Sequence, residues 1–463
     1  MIKPLYLFGI DLRIQNMVGL EVYGMYKVLF NIAFLLQFIH EPGIQSYNSQ
    51  NIAKNPDKLP HHISHILGLK GILFVIYIVF VIASFMWSGY DQALMPLMIV
   101  IAINLFLSTL FLYLRTNIAG LGLYRIDSIL SSIDKFFMLI ILGVLTIVPV
   151  FRSQFEIIWL AYAQLASFLL ACTIAMVILL RKTDKWRIQF SWSYTKSLLK
   201  KSAPYALILL TMSAYTRMDS IMLERILNDN GRESGIYEYG YRFLDALNMI
   251  GYLFAALLIP MYASNIQNKK IVSELVDSGF RLMVVVTFIG SATMIAFRSE
   301  IMQLANPSAT AYYSDIMIYL MLSFVSLSIA YIFGSLLVAN ESIKKYNYLL
   351  IIGVLINFGL NYFLIPYEKA LGAAKATLVT QFLMMIGQLF LVYKDVGIKI
   401  SRRAFLIVLG FGLFCILVFG SVYAYSPLNW IINAVICICM SLSFALLIRL
   451  IDISAVLELI KKR

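Results

Sequence analysis

Residues 93–114 read ALMPLMIVIAINLFLSTLFLYL, 22 residues without one charged side chain. A helix of about 20 such residues crosses the roughly 30 Å hydrocarbon core of a bilayer. Twelve more stretches of this kind flank it, at 22–39, 69–88, 129–150, 157–180, 204–224, 236–262, 280–297, 316–339, 346–366, 376–393, 404–425 and 429–451. Hydrocarbon offers no partner for a backbone amide, so each stretch must close its hydrogen bonds within itself. The fold expected is therefore all-α, a polytopic integral membrane protein of about 14 transmembrane helices. The opening MIKPLYLFGI is too short to be a complete span and lacks a signal-peptide cleavage site, so the first helix is expected to be truncated.

Composition agrees. Apolar residues make up 61% of the chain and charged residues 13%, against about 25% charged in soluble domains. The longest connections, 40–68 and 181–203, leave no room for a separate folded domain. Cys172, Cys415, Cys437 and Cys439 all fall inside expected spans, where thiols act as small apolar fillers. His61 and His65 have a metal-like i,i+4 spacing, but no acid or cysteine nearby completes a site, so no metal is expected.

The net charge of +13 is a matter of topology. With loops assigned alternately, 26 Lys and Arg residues fall on one side, seven on the other and four inside spans. That asymmetry is the positive-inside pattern. It puts the C-terminus and the 181–203 segment in the cytoplasm and argues against nucleic acid as a partner. The 181–203 segment is the most basic connection, and its Trp186 and Trp192 suit an interface-lying stretch.

The expected organisation is an N-terminal lobe at 1–180, the basic linker 181–203, a C-terminal lobe at 204–395 and an additional helix pair with a tail at 396–463. The lobes look like repeats. In each, an aspartate near a helix end (Asp11, Asp219) precedes a polar loop. A Gly-x-Tyr (Gly24/Tyr26, Gly235/Tyr237) then opens a helix that carries a basic residue (Lys27, Arg242). Asp134 and Asn357 occupy matching places in the fifth helix of each half. Repeats with a site at their interface are common in transporters.

Ionisable residues inside spans usually face the bundle interior and mark function. Lys27 has Tyr23, Gly24, Phe30 and Asn31 at i±3 and i±4, none acidic, and is expected either to attract an anion or to snorkel. Arg217 and Asp219, two positions apart, point to different sides of one helix. Arg242 has Glu238 and Asp245 as local partners, and Asp134 and Lys135 are expected to diverge. Basic groups at Lys27, Lys135, Arg217 and Arg242 would suit an anionic headgroup such as phosphate. Asp11, Asp134, Asp219, Asn357 and Asn361 are candidates for ion coupling or a lobe interface.

NFGLNYFLIPYEKALGAAKATLVTQ, residues 357–381, is similar to a block of the polysaccharide-exporter and O-antigen flippase branch of the multidrug/oligosaccharidyl-lipid/polysaccharide transporter superfamily. Asn357, Asn361, Pro366, Gly372, Ala373, Ala374, Ala376 and Thr377 carry the match. RMDSIML at 217–223 with SGIYEYGYRFLDAL at 234–247, and VGLEVYGMY at 18–26, resemble two further blocks. The chain departs from the pattern where Glu368-Lys369 replaces the usual glycine after the proline. The resemblance implies a two-lobed bundle of inverted V shape that flips an undecaprenyl-pyrophosphate-linked oligosaccharide across the inner (cytoplasmic) membrane. It implies no cofactor and no catalytic residues. Its partners would be the lipid-linked oligosaccharide, membrane lipid and the polysaccharide polymerase and glycosyltransferases. The competing readings are a cation-coupled multidrug exporter of the MATE branch, which should favour acidic cavity groups, and a membrane-embedded glycosyl polymerase, which would need a large outer loop.

Overall fold

The computed structural model describes residues 2–45, 48, 59–182, 191–398 and 402–450; the side chains of Lys3, Pro204, 59–62 and 402–405 lie outside this set. The described residues contain helices and no strand. A helical run at 2–18 (α1) includes a π-helical stretch, Tyr6–Asp11. Then follow α2 (Leu20–Leu35), α3 (Leu59–Ser88), α4 (Met95–Gly120), α5 (Tyr124–Ile147), α6 (Ile157–Lys182) and α7 (Trp192–Leu227). The remaining long helices are α8 (Arg232–Asn265), α9 (Lys269–Ala296), α10 (Ala311–Ala339), α11 (Ile343–Asp395), α12 (Arg402–Tyr425) and α13 (Trp430–Leu447). Among the described residues, eleven helices are long and apolar enough to cross a membrane; α11 counts once among them and α7 is not one of them.

α11 is assigned as 53 residues, about 80 Å at 1.5 Å per residue, far longer than one crossing. Lys369 breaks it, with φ 53° and ψ −131°. The chain doubles back there: a Cβ on Gly372 would lie 2.6 Å from Leu364 O, and Gly353 and Gly387 abut Met384 and Leu349 in the antiparallel register. The two spans expected at 346–366 and 376–393 are thus the arms of a helical hairpin. The break falls three residues beyond Pro366, at the position where the family's usual glycine is replaced. A lysine held at positive φ with extended ψ stores backbone strain.

Contacts divide the chain into two compact units, Met1–Gly235 and Ile236–Arg463. α7 and the first turn of α8 belong to the first of these units, and α7 packs on α2. Helix 192–227 is also continuous, so Trp192 begins a long helix rather than an in-plane segment; Trp186 lies outside the described residues.

In the first unit α4 is the buried axis, packed against α2, α3, α5 and α6. Asn104 on α4 donates from Nδ2 to Ala161 O at 2.8 Å, so a polar group in the axis is satisfied by a neighbouring helix. In the second unit α10 plays that part, against α9 and α11. Of the span windows, 67% of α4 and 72% of α10 is buried, against 44% or less for the rest. They are the fourth helices of the two expected halves, which is what an internal repeat requires.

The first unit has two polar ends. At one, Tyr90 donates to Glu224 Oε2 at 2.7 Å and Arg225 donates to Ser88 O at 2.8 Å. At the other, Lys70 pairs with Glu41, Asn48 Nδ2 donates to Asn117 Oδ1 at 3.3 Å, and the His65 ring lies 4.9 Å from that of Tyr194. This sorting matches the alternation used to count loop charges. Lys70, at the start of the expected span 69–88, is 1% exposed, because the segment after α2 folds back and brings Glu41 to it.

Asp11 does not sit at a helix end as expected. LRIQNMV continues its helix to Val18, and Gly19 at φ 87° ends it. Asp219 likewise lies eight residues inside the end of α7, which closes on Asn228 at φ 50°. Between α7 and α8, Asp229 accepts from the amides of Gly231 and Glu233 at 3.1 and 2.8 Å. The Gly-x-Tyr glycines of the two repeats then meet. A Cβ on Gly24 would lie 1.9 Å from Gly231 O, and one on Gly235 2.3 Å from Leu20 O. Gln15 Nε2 donates to Gly235 O at 2.8 Å across the same crossing. Small residues let helix backbones approach this closely in membranes.

Gly24→Ala is therefore expected to destabilise the purified protein by about 1–3 kcal/mol through overpacking, while Gly143→Ala, with nothing within 4 Å of its Cβ, leaves thermal unfolding unchanged. Lys369→Gly should raise stability by about 1–3 kcal/mol by relieving the positive-φ strain. Melting temperatures in detergent check both signs.

Candidate functional site

One stripe of α2 carries Tyr23, Lys27, Phe30 and Phe34, spaced 4, 3 and 4 residues apart and so stacked along one helix face. Tyr23 and Tyr26 are buried, whereas Lys27, Phe30 and Phe34 are half-buried. The rings form a ladder: Tyr23–Tyr26 at 5.9 Å, Tyr26–Phe30 at 6.5 Å and Phe30–Phe34 at 5.9 Å between centroids.

Cations stand along this ladder. Lys27 Nζ lies 5.4 Å from the Tyr23 ring centre and 6.0 Å from that of Phe30. Arg217, reaching over from α7, puts its Cζ 5.6 Å from Phe34. Such distances are within cation–π range, which holds a charge over a partly desolvated face without neutralising it. Asp219 is buried and Arg217 is half-buried.

A polar chain backs the ladder. Tyr23 donates to Asp11 Oδ2 at 2.6 Å. Tyr26 donates to Gln164 Oε1 at 3.3 Å, and Gln164 Nε2 donates to Tyr6 at 3.3 Å. Lys135 Nζ sits 5.5 Å from the Tyr6 ring and 5.3 Å from Phe168. It does not diverge from Asp134: the long lysine stem swings back and places Nζ 2.9 Å from Asp134 Oδ2. The expectation failed because it used helical position alone, and a four-carbon stem spans the offset between adjacent residues.

The structure thus connects Asp11, Lys27, Asp134, Lys135 and Arg217 in the first unit through one aromatic belt. Arg242, Asn357 and Asn361 belong to the second unit. Arg242 is buried beside the Tyr239 ring at 5.8 Å, on the helix that also buries Glu238. Asn361 Nδ2 donates to Asn357 Oδ1 at 3.1 Å, and Tyr237 and Thr377 hydroxyls lie 3.3 Å apart. Sequence reasoning missed Tyr6, Tyr23 and Gln164. Tyr23 was visible as the i−4 neighbour of Lys27, and Gln164 as a lone amide in an apolar span. Among the described residues no His, Cys, Asp and Glu cluster could hold a metal ion; the His61 side chain lies outside them.

Breaking one side of the Asp134–Lys135 pair leaves a largely buried charge uncompensated. Lys135→Met should destabilise by about 1.5–3 kcal/mol, and adding Asp134→Asn should recover most of the loss. A double-mutant cycle on thermal unfolding reads the coupling.

Comparison with known proteins agrees with this architecture. A family model described as "Polysaccharide biosynthesis protein" matches residues 9–266, more than half of the chain. No curated protein matches by sequence. Among solved structures, lipid II flippase MurJ in an inward closed conformation superposes with a TM-score of 0.76 at 14% identity, over 96% of each chain. An inward-facing multidrug resistance MATE transporter gives 0.64 at 14% identity, over 85% of this chain and 94% of that one. A transporter from Pyrococcus furiosus, described as having a binding pocket of reversed polarity, gives 0.59 at 14% identity, over 86% and 92%. At such identities the likeness is one of fold, and the family match supplies the link to polysaccharide biosynthesis. The chain belongs to the polysaccharide biosynthesis protein family, as a multi-pass membrane protein whose fold is similar to that of the lipid II flippase and the multidrug resistance transporter.

Proposed function

We propose that this transporter flips a polyprenyl-diphosphate-linked oligosaccharide, of the undecaprenyl type, across the inner membrane, with Lys27 and Arg217 holding the diphosphate. The observation that carries the reading is the pair of half-buried cations on the α2 ladder, set against aromatic rings. A diphosphate needs charge-assisted contacts in a partly dry setting, and a guanidinium grips phosphate oxygens two at a time. Lys135 and Arg242 are the two other candidates. Lys135 is paired to Asp134, and Arg242 is buried beside Glu238. The oligosaccharide would cross while the lipid tail stays in the membrane, which requires binding and release but no bond breaking.

A cation-coupled drug exporter would use acidic groups to meet cationic drugs. Here Asp134 already meets Lys135 and Asp11 accepts from Tyr23, so both are committed to the frame of the site. They remain candidates for ion coupling, with Asp219, Asn357 and Asn361.

Arg217→Ala should cut export of surface polysaccharide sharply while the protein still reaches the membrane. Loss of one charge-assisted contact is worth about 1.5–3 kcal/mol, roughly 10- to 150-fold in affinity. Arg217→Lys should restore only part, since a point charge lacks the guanidinium fork. Arg152→Ala, at an exposed connection, is the silent control. The assay is polysaccharide display in a strain without a second flippase; normal display in a Lys27→Ala, Arg217→Ala double mutant overturns the assignment.

A further inference from the structure

α7 is longer than its membrane crossing demands. It has 36 residues, about 54 Å at 1.5 Å per residue, against a hydrocarbon core of about 30 Å. Its C-terminal end is tied down, with Glu224 bound by Tyr90 and Arg225 bonded to Ser88 O. The apolar part expected to cross is 204–224, so residues 192–203 extend past the hydrocarbon at the end that the charge count assigns to the cytoplasm.

This extension is built as a half-buried helix. Thr195, Leu198 and Ser202, spaced three and four apart, are buried. Tyr194 lies against His65, and Gly43 approaches Ser202 so closely that a Cβ there would sit 2.6 Å from Ser202 O. The opposite face is open. Trp192 is 69% exposed at the helix start. Lys196, Lys200, Ala203 and Leu207 are exposed on the same stripe, within one side of the helix by their spacing of 4, 4, 3 and 4. Arg181 and Lys182 end α6 exposed as well. From Lys185 to Met218 there is no Asp or Glu. Lys196 and Lys200 make no ion pair among the described residues. Basic residues at this end are not favoured by the helix dipole, whose N-terminus is positive.

Over about four turns, from Trp192 to Leu207, the open stripe passes from tryptophan and lysine to alanine and leucine. A surface that matches it must present an anionic layer directly beside an apolar one. We propose that the Trp192 end of α7 is a docking site for anionic phospholipid headgroups, with Trp192 at the interface, Lys196, Lys200 and Lys201 on the phosphates, and Leu207 in the acyl layer. Polybasic segments of this kind are held by the negative surface of the cytoplasmic leaflet, and tryptophan settles at the headgroup level. A nucleic acid or a soluble acidic protein would match the lysines but not the apolar continuation of the stripe. The site is separate from the proposed substrate contacts, because Arg217 lies 17 residues beyond Lys200 along the same helix, about 25 Å at 1.5 Å per residue.

The test places the full-length protein in phosphatidylcholine vesicles containing a minor fraction of brominated phosphatidylglycerol or, in parallel, brominated phosphatidylcholine. The chain has five tryptophans, so the Trp192 signal is the difference between the wild type and Trp192→Phe. The anionic lipid is expected to quench Trp192 at least about five-fold more effectively than the neutral one, the factor that roughly one lysine contributes near an anionic surface. The preference should vanish in Lys196→Gln, Lys200→Gln, Lys201→Gln, persist when the three are arginine, and fade near 1 M salt, where the Debye length is about 3 Å. Lys344→Gln, Lys394→Gln, which removes exposed charge elsewhere, should leave it intact. Equal quenching by the two lipids, or an unchanged preference in the triple glutamine variant, overturns the proposal. So does loss of the preference in the Lys344, Lys394 control, which would trace it to net charge. Inorganic phosphate added to pure phosphatidylcholine vesicles separates a leaflet from a free anion: thermal stabilisation by phosphate that the triple variant loses, with no lipid preference, also overturns it. If the triple variant fails to fold, exposed Lys196→Gln alone carries the test, with a partial loss of preference expected and none overturning.

Discussion

Hydrocarbon cannot hydrogen-bond, and every element of this protein answers to that fact. Backbone amides close on themselves as helices. Side-chain polar groups have no such internal solution and must be met by neighbours. Asn104 bonds a carbonyl of α6, Gln15 bonds Gly235 O, Tyr23 bonds Asp11, and Lys70 pairs with Glu41. These contacts fix which helices lie side by side, because the apolar faces alone are as content against lipid as against each other. The glycine crossing of α2 with the start of α8 follows the same logic: once the amide of Gln15 must reach a backbone carbonyl, the helices have to come closer than a Cβ permits.

Much of this architecture was legible in the sequence. Apolar run length located the spans apart from 204–224, whose helix is not among those long and apolar enough to cross, and the asymmetry of loop charge sorted the connections of the first unit into two ends. The sequence suggests a repeat through its paired Gly-x-Tyr segments, and α4 and α10, the fourth helices of the two expected halves, are the most buried of the span helices. What the sequence could not show is where helices run beyond their spans. LRIQNMV is polar enough to read as a loop, yet it extends the first helix to Val18, and WSYTKSLLKK extends α7 by three turns. Run length measures hydrocarbon thickness, not helix length, so every extension into the headgroup layer is invisible to it. The hairpin of α11 shows the converse. Two spans were legible, but the backbone strain at Lys369 appears only once its φ is known.

The candidate site was half legible. Charges in spans stand out, so Lys27, Asp134, Lys135 and Arg217 were visible as residues. Their relations were not. Helical position predicts where a Cα points, whereas a lysine Nζ sits several bonds away and goes where the field takes it. Lys135 therefore turned to its adjacent aspartate. Neutral partners carry no flag either: Tyr6, Tyr23 and Gln164 do much of the positioning, and each looks like ordinary composition in an apolar helix.

Cations in the membrane part of the first unit are met in more than one way. Lys70 and Lys135 meet carboxylates, and each also lies over an aromatic ring, Lys70 over Tyr113 and Lys135 over Tyr6 and Phe168. Lys27 and Arg217 lie against the Tyr23, Phe30 and Phe34 rings of α2. A ring quadrupole offsets part of the desolvation of a cation, and a charge placed in an apolar bundle with no such neighbours costs far more. The aromatic residues along α2 are therefore part of what lets charge sit inside the bundle at all, which is why charges and rings occur together there.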